Sequence, residues 1–126
     1  MSAIHYKPDY IHFDWTNKYY LRKFSLETFF YIIWFLFQIF FVKNFLKINI
    51  VWTLHNCLPH DTKQVKMNKF VQYYFSKQCK WIRVFSKNTA KKLANEFSFN
   101  IKKIIVVPEG SYVGHYPNTI SKIEAR

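Results

Sequence analysis

The apolar positions along this chain change their period in a regular order. Residues 10–15 (YIHFDW) form a short run of β type, and Pro8 ahead of it favours an extended approach. Ser25 is placed to cap a helix with Glu27 in its first turn, where a negative charge suits the helix dipole; an aromatic run follows. Residues 48–54 (INIVWTL) are almost continuously apolar, as expected of a strand covered on both faces. Met67, Phe70, Val71, Tyr74 and Phe75 then recur at helical spacing while Lys66, Lys69 and Lys77 point elsewhere, which predicts an amphipathic helix. Residues 81–85 (WIRVF) make a third strand, and Ser86 caps a helix whose inner face is Ala90, Leu93, Ala94 and Phe97. Residues 103–110 (KIIVVPEG) make a fourth strand closed by Pro108. Strands alternating with helices predict an α/β fold, a parallel sheet with right-handed crossover helices.

The aromatic run, residues 29–42 (FFYIIWFLFQIFFV), is fourteen residues without a charge. As a helix it spans about 21 Å, against a hydrocarbon core of roughly 30 Å, so it is short for a membrane crossing. It lies behind Asp9, Asp14 and Glu27, too far along the chain for an ordinary signal peptide. The favoured expectation is a helix buried between the sheet and its neighbours; the alternative is a helix lying in a membrane interface.

Composition adds a partner class. The chain has 126 residues, 50% of them hydrophobic, enough for one domain spanning residues 1–126. Its net charge of +12 comes from sixteen Lys and three Arg, spread along most of the chain, and such a surface attracts polyanions. Lys lacks the planar fork with which Arg reads guanine and phosphate, so an anionic membrane surface or a sugar phosphate ranks above specific nucleic acid. Cys57 and Cys79 show no zinc or disulfide spacing and are read as free thiols in a reducing, cytoplasmic compartment.

In an open parallel α/β sheet the ligand crevice lies outside the carboxyl ends of the strands. There the four strands carry Asp14-Trp15-Thr16-Asn17, His55-Asn56, Ser86-Lys87-Asn88 and Glu109-Gly110-Ser111. His55 can act as acid, base or hydrogen-bond donor near neutral pH, and Asn56 offers both a donor and an acceptor. Pro59-His60-Asp61 reads as a turn into the following helix. His55, Cys57, His60 and Asp61 match no zinc or calcium spacing, so no metal is expected; nor does anything pair Cys57 with a base as a nucleophile would require. Gly110 permits a tight turn and a close backbone approach to a ligand. No GxGxxG, GxxxxGK[ST] or HExxH occurs, which argues against a dinucleotide cofactor, a P-loop NTPase and a zincin.

Taken in order, KPDYIHFDW, INIVWTLHNCLPHD, a strand ending in FS with NTAKKL behind it, and KIIVVPEGSYVGHYPN resemble the N-terminal domain of retaining GT-B glycosyltransferases of the family-four type. The likeness is to polysaccharide-assembling members with T-x-H-N-x-x-P-H-[DE] and V-I-P-H-G-x-Y-x-x-x-Y-P loops, and it covers roughly residues 7–118. It implies two Rossmann-like domains with the cleft between them, the first binding acceptor and the second a nucleotide-sugar donor. On this reading His55 is the candidate catalytic residue. Trp15, Asn56, His60 and Asp61 bind acceptor, and Glu109, Gly110, Ser111 and Tyr112 form a loop lining the cleft. Glu109 stands where many members have His, which departs from the pattern. The strand and Gly-rich turn that usually open the family, and its whole donor domain, have no counterpart in these residues. The expectation is therefore an incomplete half of a GT-B fold, inactive by itself. The implied activity is hexose transfer from a nucleotide-sugar to a lipid-linked or polysaccharide acceptor, as in capsule or exopolysaccharide biosynthesis, in the cytoplasm or peripherally on the inner membrane face. The alternative is a non-enzymatic basic α/β module binding anionic membrane or nucleic acid.

Overall fold

A computed structural model describes residues 8–56 and 64–110. It has a Rossmann-like α/β architecture built on four parallel strands: β1 (Tyr10–Phe13), β2 (Asn49–Thr53), β3 (Trp81–Val84) and β4 (Ile104–Val106). The helices are α1 (Asn17–Tyr20), α2 (Ser25–Asn44), α3 (Val65–Gln78) and α4 (Lys87–Glu96), with a 3-10 turn at Ile101–Lys103. The short α1 and the 3-10 turn carry too few residues for apolar periodicity to reveal them.

The strands lie in the order β1-β2-β3-β4, with His12 opposite Val51, Trp52 opposite Ile82, and Arg83 opposite Ile105. Each crossover therefore steps the same way. Right-handed crossovers that keep one direction place their helices on one face, as in a single wing of a doubly wound sheet. Burial agrees: Ile50, Trp52, Leu54, Ile82 and Val84, one alternating set, enter the core with Ile32, Phe35, Ile39, Val71, Phe75 and Leu93. The opposite set includes the exposed Tyr10, His12, Trp81 and Ile105 and the half-buried Val51 and Arg83. β2 is thus covered on one face and only partly on the other, not on both as its apolar run suggested.

Three local expectations change. Ser25 is the first residue of α2 rather than its cap: Phe24 holds the cap position, and no side chain caps it. The buried face of α3 is Asn68, Val71, Gln72, Phe75 and Ser76, with Met67 packed at its margin and Phe70 exposed. That face is turned about one residue from the apolar stripe, because the Tyr20 hydroxyl donates to Asn68 Oδ1 within the core and draws a polar position inward. The aromatic helix α2 buries only Thr28, Ile32, Phe35 and Ile39 of its twenty residues, so it is not enclosed between the sheet and its neighbours. Ser86, by contrast, caps α4 as expected: its Oγ accepts from the Thr89 amide at 3.1 Å.

Candidate functional site

At the carboxyl edge of the sheet the ends of β1 and β2 bring together residues about forty positions apart. Side chains two residues apart on a strand share a face, so His12 and Asp14 on one strand and Thr53 and His55 on the next come up on the same, open side. His55 Nε2 lies 3.3 Å from Asp14 Oδ1. His12 Nε2 lies 2.7 Å from Thr53 Oγ1 and 3.8 Å from the same Asp14 oxygen.

Two further contacts fix the His55 ring. The Trp15 indole is stacked on it at 4.5 Å between centroids, and Phe85, just past β3, closes a second side at 5.1 Å. The His55 side chain keeps 27% of its surface exposed, so the ring is held yet reachable. The backbone beneath is anchored as well: the buried Trp52 donates its indole N–H to the Asp14 carbonyl at 3.3 Å, and the Leu54 amide donates to the Arg83 carbonyl at 2.9 Å.

The chemistry follows from the hydrogen bond. A carboxylate only accepts, so the Asp14 contact places a proton on His55 Nε2, and in the neutral tautomer this leaves Nδ1 with its lone pair. An imidazole oriented by a carboxylate in this way can accept a proton or hydrogen bond from a hydroxyl group. Asn56 is exposed directly beyond it.

The remaining predicted residues are less tightly drawn in. Trp15 sits in the cluster, 44% exposed, with the Lys18 ammonium 5.9 Å from its ring. Glu109 and Gly110 are exposed past β4, two strand spacings or about 10 Å across the sheet from β2. Among the described residues a Cβ placed on Gly110 would meet nothing within 4 Å, so none of them demands glycine there. Cys57, His60, Asp61, Ser111 and Tyr112 lie outside the described residues. Cys79 is a free, buried thiol. Among the described residues no group of three or more His, Cys, Asp or Glu could hold a metal ion.

Sequence reasoning missed His12, Thr53 and Phe85, and it did not pair Asp14 with His55. The period-2 alternation within β1 and β2 carries part of that signal, since it puts each pair on one face. The adjacency of the two strands does not appear in it. A shallow groove elsewhere, lined by Lys69, Phe70, Tyr73, Glu96, Phe97 and Ser98, lies in the helical layer between α3 and α4 and gathers no comparable set of titratable groups.

No protein-family model, curated protein or solved structure matches this chain.

Proposed function

We propose that this chain carries the acceptor side of a GT-B glycosyltransferase, one that moves a hexose from a nucleotide-sugar to a lipid-linked or polysaccharide acceptor. The observation that carries this reading is the His55 imidazole, oriented by Asp14 and stacked on Trp15 at the carboxyl edge of a parallel sheet. Sugar hydroxyls need directional donors and acceptors, and the apolar faces of sugar rings need flat aromatic surfaces. His55 Nδ1 and Asn56 supply the first, and the exposed part of the Trp15 indole supplies the second. Asp14 acts as a positioning residue. Glu109 and Gly110 would border the same cleft. The nucleotide-sugar would be held by a second, donor-binding domain. The setting is the cytoplasm, where nucleotide-sugars and membrane-borne acceptors meet on the inner membrane face.

The experiment is saturation-transfer NMR with a panel of oligosaccharides and water-soluble lipid-linked sugar analogues. At least one glycan is expected to bind, and Trp15→Ala and His55→Ala are each expected to weaken that binding by roughly tenfold, the loss of one good contact of about 1.4 kcal/mol. A panel with no binder, or binding indifferent to both substitutions, overturns the reading.

The net charge of +12 favours a second reading, a non-enzymatic basic module. Its mark would be binding to oligonucleotides and anionic vesicles alike, vanishing together as salt is raised, with no glycan bound.

A further inference from the structure

The outward side of α2 is a surface that the candidate site does not explain. Leu26, Phe30, Ile33, Trp34, Phe37 and Phe41 fall on one side of the helix and are exposed, Leu26 and Phe30 by 69% and 61%. At 1.5 Å per residue the stripe runs about 23 Å. Ile32, Phe35 and Ile39 on the opposite side are buried in the core. Apart from Gln38 and the polar residues of its two ends the helix is therefore apolar on nearly every side, and among the described residues its packing partners lie on one side. Contiguous apolar surface of this size marks an interaction site.

We propose that this face of α2 docks the domain onto an anionic lipid bilayer, with the helix lying in the plane of the interface. The inference goes beyond sugar transfer and does not depend on it. Three observations favour lipid as the occupant. The stripe presents no hydrogen-bonding side chain except the Trp34 indole, whereas protein partners are usually specified by about one hydrogen bond per 100–200 Å². An exposed cation flanks each end of the helix, Lys23 before it and Lys47 after it, suited to phosphate headgroups. A second copy of the chain would bring another +12 against the first, which opposes self-association and favours an anionic surface.

By length and composition α2 could also cross a membrane. Its buried side argues for lying flat, because Phe35 packs against Phe13, Tyr20 and Phe75, and threading the helix through a bilayer would strip those contacts from the core.

The test is vesicle co-sedimentation of the full chain, with phosphatidylcholine alone and with phosphatidylcholine plus phosphatidylglycerol, over a salt series. Binding to the anionic vesicles is expected to be roughly tenfold tighter or more, and to weaken with salt. The F30E/F37E variant is expected to lose binding to both compositions by roughly tenfold or more, while its circular dichroism and unfolding midpoint stay unchanged because neither side chain is in the core. K23E/K47E should lose the preference for anionic lipid. Equal binding to the two compositions, or full binding by F30E/F37E, overturns the proposal. A dimer that F30E/F37E dissolves, without any vesicle binding by the parent chain, also overturns it and assigns the face to a second copy. Protection of the chain on one flank of α2 from protease added outside a sealed vesicle, lost when detergent opens the vesicle, would overturn the flat orientation.

Discussion

The Trp15 indole lies almost flat on the His55 imidazole, with the ring planes 10° apart. The two residues leave neighbouring parallel strands at the same edge, and each constrains the other: the indole limits the tilt of the imidazole while Asp14 limits its rotation. Trp15→Ala is expected to move the His55 ring proton resonances downfield as the ring current is lost, at a cost of roughly 0.5–1.5 kcal/mol in stability. Asp14→Asn is expected to leave the stack in place and change the tautomer balance, read in the imidazole ¹⁵N shifts. Unchanged His55 resonances in Trp15→Ala would count against the stacked geometry.

Two phenylalanines of α2, two residues apart, are expected to behave in opposite ways. Phe35 is 3% exposed and meets Phe13, Tyr20 and Phe75, so Phe35→Ala should lower unfolding free energy by about 3–5 kcal/mol. Phe37 is 55% exposed, and Phe37→Ala should change stability by no more than about 0.5 kcal/mol. Urea denaturation of the two variants checks the contrast.

The buried Tyr20–Asn68 pair couples α1 to α3. Tyr20→Phe leaves Asn68 Oδ1 without its donor and is expected to cost about 1–3 kcal/mol. Adding Asn68→Leu removes the orphaned amide, whose Nδ2 already has no partner among the described residues. The double variant should therefore be destabilised by less than the sum of the singles, and a double-mutant cycle by denaturant titration measures the difference.

Alkaline pH should loosen this core. Burial pushes the Cys79 thiol up to about 12, with the Lys103 and Lys43 ammonium groups acting weakly the other way, and burial also raises the Tyr20 phenol above its ordinary range. Between the unfolded thiol value near ~8.5 and about 12, the unfolded chain holds fewer protons than the folded one. The thiol's contribution to stability is therefore constant below that window and falls as pH rises through it, with Tyr20 adding to the fall above about pH 10, while Lys103, whose ammonium is disfavoured by burial, acts in the opposite sense. Denaturant midpoints measured across this range should drop, and Cys79→Ala should flatten the first part of the decline. The same burial makes Cys79 slow to react with thiol reagents at neutral pH until the protein unfolds.

Which elements form, and in what order, was legible in the chain because periodicity is local. Four β-type runs alternating with helical ones led to the parallel sheet, Ser86 announced the start of α4, and the polar strand ends marked the edge where His55 and Trp15 stand. The rotation of α3 was not legible, since a polar Asn68 turned inward makes sense only beside the Tyr20 hydroxyl that meets it. Nor was the exposure of α2, whose central residues are apolar on nearly every side and give no hint of which side the core will take. Strand order decided that: four strands stepping one way put all crossovers on a single face, so that among the described residues the outside of α2 is left exposed and the far face of the sheet is only partly covered. The candidate site depended on the same choice. Sequence alone placed His55 and Trp15 at strand ends, but the meeting of His12, Asp14, Trp15 and His55 required β1 and β2 to pair in register, a contact across about forty residues that backbone hydrogen bonds specify and no local pattern encodes.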